Sequence, residues 1–153
     1  MSPTIFPNGA MILVCDGSKA LLFENAGDGL ALDLKLLDIK LEPHSATREM
    51  GTDRPTRVYD SMDGSRSGAA QVDWHDRAEA EFLGTVANML EQFVVDRKAR
   101  HVSIIAPPTA LGILRAAIGA ATHAALMVEL SKDLVKHPVP EIERQLLAFR
   151  LAT

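Results

Sequence analysis

Few residues in this sequence combine the type and the spacing that chemistry demands. Metal-assisted hydrolysis of a phosphoryl bond needs several carboxylates converging on one point. Only Glu129 and Asp133 fall near the ends of expected strands, and Asp16-Gly17-Ser18 reads as ordinary hairpin-turn chemistry. The five histidines, His44, His75, His101, His123 and His137, show no i, i+4 pair and no cysteine beside them, so no zinc site is expected. There is no Gly-x-Ser-x-Gly elbow, no Walker loop and no Gly-x-Gly-x-x-Gly fingerprint, and no cofactor is expected. Arg115 and Glu129 read as ordinary helix and strand-end charges, and Trp74, the only tryptophan, as a core anchor. What remains is a polar stretch, residues 43–72, in which Arg48, Arg54, Arg57 and Arg66 face Glu49, Asp53, Asp60 and Asp63, with Gln71 at its end. The stretch is charged but balanced, not a basic arm.

The elements that must position these residues are organised around 102–130. Val102, Ile104 and Ile105 form a short β-branched run, as expected of a strand covered on both faces. Pro107 and Pro108 end it and suit a first helical turn, so a helix should begin near Pro108 with Leu111, Leu114, Ala117, Ile118 and Ala121 on one stripe. Residues 124–130 supply a returning strand, and such a crossover is right-handed. Upstream, 10–15 and 20–25 make a hairpin about Asp16–Lys19, and a third antiparallel strand is expected at 30–41, where Leu30, Leu32, Leu34 and Leu36 alternate with other residues. Residues 43–72 show no sustained period and predict a long loop, with 45–70 mobile. Asp73 then offers an N-cap for an amphipathic helix from about Trp74 to Lys98, with Ala78, Phe82, Val86, Met89, Leu90 and Phe93 on one face. A last helix should follow Pro138 and Pro140.

These elements predict one α/β domain over residues 1–153: three antiparallel strands, then αβαβα, forming a mixed five-stranded sheet with the fourth strand parallel to the first. At 153 residues such a domain buries roughly 70% of its unfolded surface and needs no staples. The formal charge of −4, from 16 basic and 20 acidic residues, provides no global field for phosphates. The single cysteine, Cys15, cannot form an intrachain disulfide and fits a reducing compartment. The start of the chain has no basic n-region, and the apolar run 10–15 is too short to span a bilayer, so a cytoplasmic location away from membranes is expected.

Four segments resemble a known family. They are Arg57-Val58-Tyr59-Asp60-Ser61; Asp73-x-His75 followed by Phe82; Ile105-Ala106-Pro107-Pro108-Thr109-x-Leu111-Gly112-x-Leu114-Arg115; and Glu129-Leu130-Ser131-Lys132-Asp133-Leu134-x-Lys136-His137-Pro138. In order and spacing they resemble the bacterial host attachment proteins over nearly the whole chain. That family is named for attachment of plant-associated proteobacteria to host cells, and the name implies no established reaction. The family is in turn similar to the middle domain of archaeal and eukaryotic class I release factors and of Pelota, which implies a ribonuclease H-like order of elements. In those release factors a Gly-Gly-Gln loop before the long helix helps water cleave peptidyl-tRNA. At the matching place stands Gly68-Ala69-Ala70-Gln71, which keeps the glutamine and replaces the paired glycines with residues whose Cβ restricts positive φ.

The resemblance therefore implies Gln71 as the candidate catalytic or binding residue, with Arg57 and Arg66 as phosphate contacts and the ribosome or a tRNA as partner. A non-enzymatic module using the same loop on a protein partner is the alternative. A ribonuclease H-like nuclease with Asp16 as its first acid is a further one. Binding without catalysis is the expected activity, and peptidyl-tRNA hydrolysis the enzymatic option.

Overall fold

A computed structural model describes residues 6–28, 30–42 and 56–152, with the side chains of 56–75 and of 152 outside that description. Three strands come first, β1 (Met11–Cys15), β2 (Lys19–Asn25) and β3 (Leu34–Leu41). Then follow the long helix α1 (Thr56–Arg97), β4 (Val102–Ala106), α2 (Pro108–Ala117), α3 (Ala120–Ala125), β5 (Leu126–Ser131) and α4 (Val139–Ala152). The sheet order is β3-β2-β1-β4-β5. Strand β2 runs antiparallel to both neighbours, whereas β4 is parallel to β1 and to β5. The expected mixed sheet and the interior, parallel fourth strand are both present, in an order compatible with the ribonuclease H-like one.

Alternation along the central strands divides the core into two layers. Met11, Leu13 and Cys15 of β1 and Val102 and Ile104 of β4 pack with Phe82, Val86, Leu90 and Val94 of α1 and Leu114 of α2. Ile12, Val14 and Ile105 point the other way, onto Ile142 and Leu146 of α4. All five residues of β1 and all five of β4 are buried, which is why their sequences are apolar runs, interrupted only by Ser103, and not alternations.

Boundaries differ from expectation where hydrogen bonds, near or across the fold, override the pattern. Strand β3 begins at Leu34, not residue 30, because the preceding residues are held in a turn. Asp28 Oδ1 accepts from Leu30 N and Ala31 N, both at 2.9 Å, and buried Asn25 accepts from Gly27 N and Asp33 N at 3.0 Å. The helix expected from Pro108 through Ala121 breaks at Ile118 and Gly119, both extended, and resumes as α3; β5 accordingly starts at Leu126 instead of 124. Glu91 of α1 causes the restart. Its carboxylate accepts from Ala121 N at 3.2 Å, Thr122 N at 2.9 Å and Thr122 Oγ1 at 2.8 Å, capping the new helix.

The largest correction concerns α1, which begins at Thr56 and not near Trp74. Residues 56–72 of the expected loop are helical, and its first part, 43–55, lies outside the described residues. The segment has no proline after Pro55. Its Gly64 and Gly68 each cost only about 1 kcal/mol relative to alanine. A helix already nucleated on Phe82–Val94 can propagate through polar sequence, because extension is far cheaper than initiation. The loop reading rested on a missing apolar stripe, and helical backbone propagated from an existing helix needs none.

Candidate functional site

At one end of the sheet the β1–β2 turn, the end of β3 and α1 converge. Asp16 builds the turn, its Oδ1 accepting from Ser18 N and Lys19 N at 2.8 Å. Glu42 N donates to Ser18 O at 2.8 Å and ties the end of β3 to it. Glu79 of α1 lays its carboxylate against Gly17, in the space that a Cβ there would fill. Desolvation, then the charges of Asp76 and Asp16, raise the Glu79 carboxyl above the ordinary carboxylate range. Beside this acidic group lies a cleft of about 450 Å³, bounded by Ile39, Leu41 and Glu42 of the β3 end and by Ala78, Glu81 and Phe82 of α1. Leu36, Ile39 and Leu41 are 47%, 47% and 55% exposed, so the sheet edge beside the cleft carries unusual apolar surface. Such a surface suits an apolar side chain of a partner, and Lys40, Glu42 and Glu81 give the cleft a rim of mixed charge.

Two of the carboxylates considered for metal chemistry, Asp16 and Glu129, are engaged elsewhere. Asp16 holds its hairpin. Glu129 accepts from Arg115 Nε at 2.9 Å in an ion pair on the far side of β4, as an ordinary strand-end charge would. Among the described residues no group of three or more His, Cys, Asp or Glu side chains is arranged to hold a metal ion. No described helix is long and apolar enough to cross a membrane.

Arg57, Arg66 and Gln71 all lie on the α1 backbone, in the part whose side chains are outside the description. At 1.5 Å per residue, the Cα atoms of Arg57 and Gln71 are about 21 Å apart along the axis, and the step from Arg57 to Arg66 makes about two and a half turns. The helix therefore strings these positions out and does not gather them at one point. Gln71 is about four turns inside α1 and not at its start, and Gly68–Gln71 forms one helical turn. Two groups escaped the sequence reading, Glu79 over Gly17 and Glu91 over Gly119. Each acts across the fold from a helix that looks like an ordinary amphipathic one, so no spacing could have marked them.

Residues 11–146 match the family described as "Protein required for attachment to host cells". Comparison with curated proteins gives no match.

Proposed function

The chain belongs to the family of proteins required for attachment to host cells, and we propose that it works in the cytoplasm as a non-catalytic binding protein of the translation machinery, engaging the ribosome or a tRNA through residues 43–72. The observation that carries this reading is the length of α1. Its 42 residues span about 63 Å, whereas a strand of eight residues, the longest here, spans about 27 Å. Among the described residues, those of α1 seated in the core run from Phe82 to Val94, about 18 Å. The stretch bearing Arg57, Arg66 and Gln71 thus continues well past the sheet as an arm, and an arm supplies the reach that a recessed ribosomal or tRNA target requires. Arg57 and Arg66 serve on it as electrostatic anchors to phosphates.

Hydrolysis is not part of the proposal. The Gly-Gly-Gln loop of the release factors depends on glycine, whereas Gly68-Ala69-Ala70-Gln71 is an unbroken helical turn that asks nothing of glycine. Gln71 is assigned to binding.

The apolar surface of Leu36, Ile39 and Leu41 beside the cleft favours a second reading, a protein partner docked at the β3 end. Sedimentation with ribosomes separates the two. The first reading expects wild type to pellet with ribosomes, the chain lacking residues 45–70 to stay in the supernatant, and Leu41→Asp to behave as wild type. Pelleting that survives the deletion and is lost in Leu41→Asp would overturn it in favour of the second.

A further inference from the structure

Strand β3 ends the sheet, so one side of its backbone meets no described strand. Its residues divide between two faces of opposite character. Lys35, Asp38 and Lys40 stand opposite Glu24, Leu22 and Ala20, alternate residues of β2, and Asp33 joins them through its 3.5 Å ion pair with Lys35. Leu34, Leu36, Ile39 and Leu41 stand opposite Asn25, Phe23, Leu21 and Lys19 and form the other, apolar face. The division holds along the strand because the register shifts between Leu22 and Phe23: Leu37 is the extra residue, and beyond it odd and even positions exchange faces.

That exchange makes the strand complementary to itself. Set antiparallel to a second copy with Leu34 opposite Ile39, β3 brings Lys35 opposite Asp38 and Asp33 opposite Lys40 on the charged face, and the two-fold axis repeats both pairs. Leu34 meets Ile39 on the apolar face, and Leu36 and Leu37 lie at the axis. Sliding the second copy to the next register that keeps the faces sets Lys35 against Lys40 in one direction and Asp33 against Asp38 in the other, and like charges directly opposite are destabilising. Backbone direction agrees. Asp33 O and Glu42 N bond towards β2, with Ala26 N and Ser18 O at 2.8 Å, whereas Leu34 N and Ile39 N turn away from it and donate to Glu143 Oε2 at 2.9 Å and Asp38 Oδ1 at 2.8 Å. Leu34 and Ile39 are therefore the residues able to exchange hydrogen bonds with a new strand, which leaves Lys35 and Asp38 as the closer, non-hydrogen-bonded kind of pair.

We propose that a second copy of this chain pairs with β3 in this register, joining two five-stranded sheets into one. In the single chain Glu143 and Asp38 satisfy the two outward amides, and pairing exchanges each carboxylate for the carbonyl of the residue opposite. Glu143, reaching β3 from α4, thus competes with the second copy. The contact uses neither α1 nor a nucleic acid and stands or falls apart from the translation reading.

Sedimentation velocity of the full chain over a concentration series at low salt tests it. One variant, Lys35→Asp with Lys40→Asp, makes the charged face wholly acidic; the other, Asp33→Lys with Asp38→Lys, makes it wholly basic. Wild type should pass from monomer to dimer as concentration rises. Each variant alone turns every opposite-charge pair into a like-charge one and should dimerise at least about tenfold more weakly, whereas their equimolar mixture should restore a dimer of wild-type strength. Glu143→Ala frees Leu34 N and should tighten dimerisation severalfold. Should a double variant fail to fold, Lys40→Asp mixed with Asp33→Lys gives the same comparison. Wild type that stays monomeric at every concentration would overturn the proposal. A dimer kept by both charge variants would overturn it by placing the contact on another surface, and folded variants that stay monomeric when mixed would overturn the register.

Discussion

Ser67→Pro separates the arm from the body of the molecule. Position 67 lies inside α1, where proline removes the N–H donated to the carbonyl of Asp63 and drives its ring against that carbonyl, at a cost of about 3 kcal/mol. The 11 residues from Thr56 to Arg66 would then have to stand as a separate helix. Helices below about 12–15 residues are marginal on their own. They should therefore unwind, removing roughly 15% of the helical circular dichroism signal, the share of 56–66 among the helical residues. The core should not notice, because among the described residues those of α1 seated in it begin at Phe82. If the arm were part of the cooperative unit, a 3 kcal/mol lesion would lower the melting temperature of a chain this size by about 6–12 °C. Far-ultraviolet melts of wild type and Ser67→Pro decide between these outcomes. The expected result is reduced ellipticity at low temperature with a midpoint changed by less than about 2 °C. A drop of the larger size, or undiminished ellipticity, would refute the reasoning.

Three further perturbations test how the body is held. Ser103 is fully buried in β4 and its Oγ has no hydrogen-bond partner among the described residues; Ser103→Ala should leave stability unchanged or raise it by about 1 kcal/mol in urea denaturation, since it removes a desolvated hydroxyl. Gly119 has a backbone open to any residue (φ −83°), but a Cβ there would lie 2.5 Å from the Glu91 carboxyl carbon. Gly119→Ala should therefore destabilise wild type by dislodging the α3 cap and cost much less in a Glu91→Ala background, and equal costs in both would contradict the capping role. Burial, reinforced by the adjacent Asp16 charge, pushes the Cys15 thiol up from 9.0 to about 12. The unfolded chain then loses this proton between pH 9 and 12 while the folded chain keeps it, so stability should fall as pH rises through that window. Denaturation of wild type and Cys15→Ala should show a shallower fall for the variant.

The parts of the fold that were legible in the sequence are those where burial writes itself into residue type. Val102–Ala106 and Met11–Cys15 are covered on both faces, so their apolar runs announced two neighbouring strands of a mixed sheet. The turns were legible as turns but not as boundaries. Asn25 and Asp28 bind the backbone of residues 27–33, which delays β3 to Leu34 although leucines alternate from Leu30 onward. The α2–α3 break depends on Glu91, thirty residues upstream, and left no local mark beyond Gly119. The start of α1 was hidden for the opposite reason. Residues 56–73 have no face to bury, so periodicity, the main signal for a helix, is silent there. That silence bears on the candidate site as well, because Arg57, Arg66 and Gln71 were placed on a loop and lie on a helix. The basic turn at 97–101, where α1 ends, was visible only as charge suiting a helix C-terminus, and the positive φ of its Lys98 is a backbone fact no composition reveals.

The most direct measurement of the central claim is photo-cross-linking from the arm itself. A photoreactive benzoylphenylalanine at position 66, with the same residue at position 41 beside the cleft as comparison, would be irradiated in cells and the adducts digested with ribonuclease or protease. Translation association through α1 predicts ribonuclease-sensitive adducts of ribosomal or transfer RNA at position 66 and none at position 41. Adducts at both positions that resist ribonuclease and yield to protease alone would contradict it and assign the molecule to a protein partner.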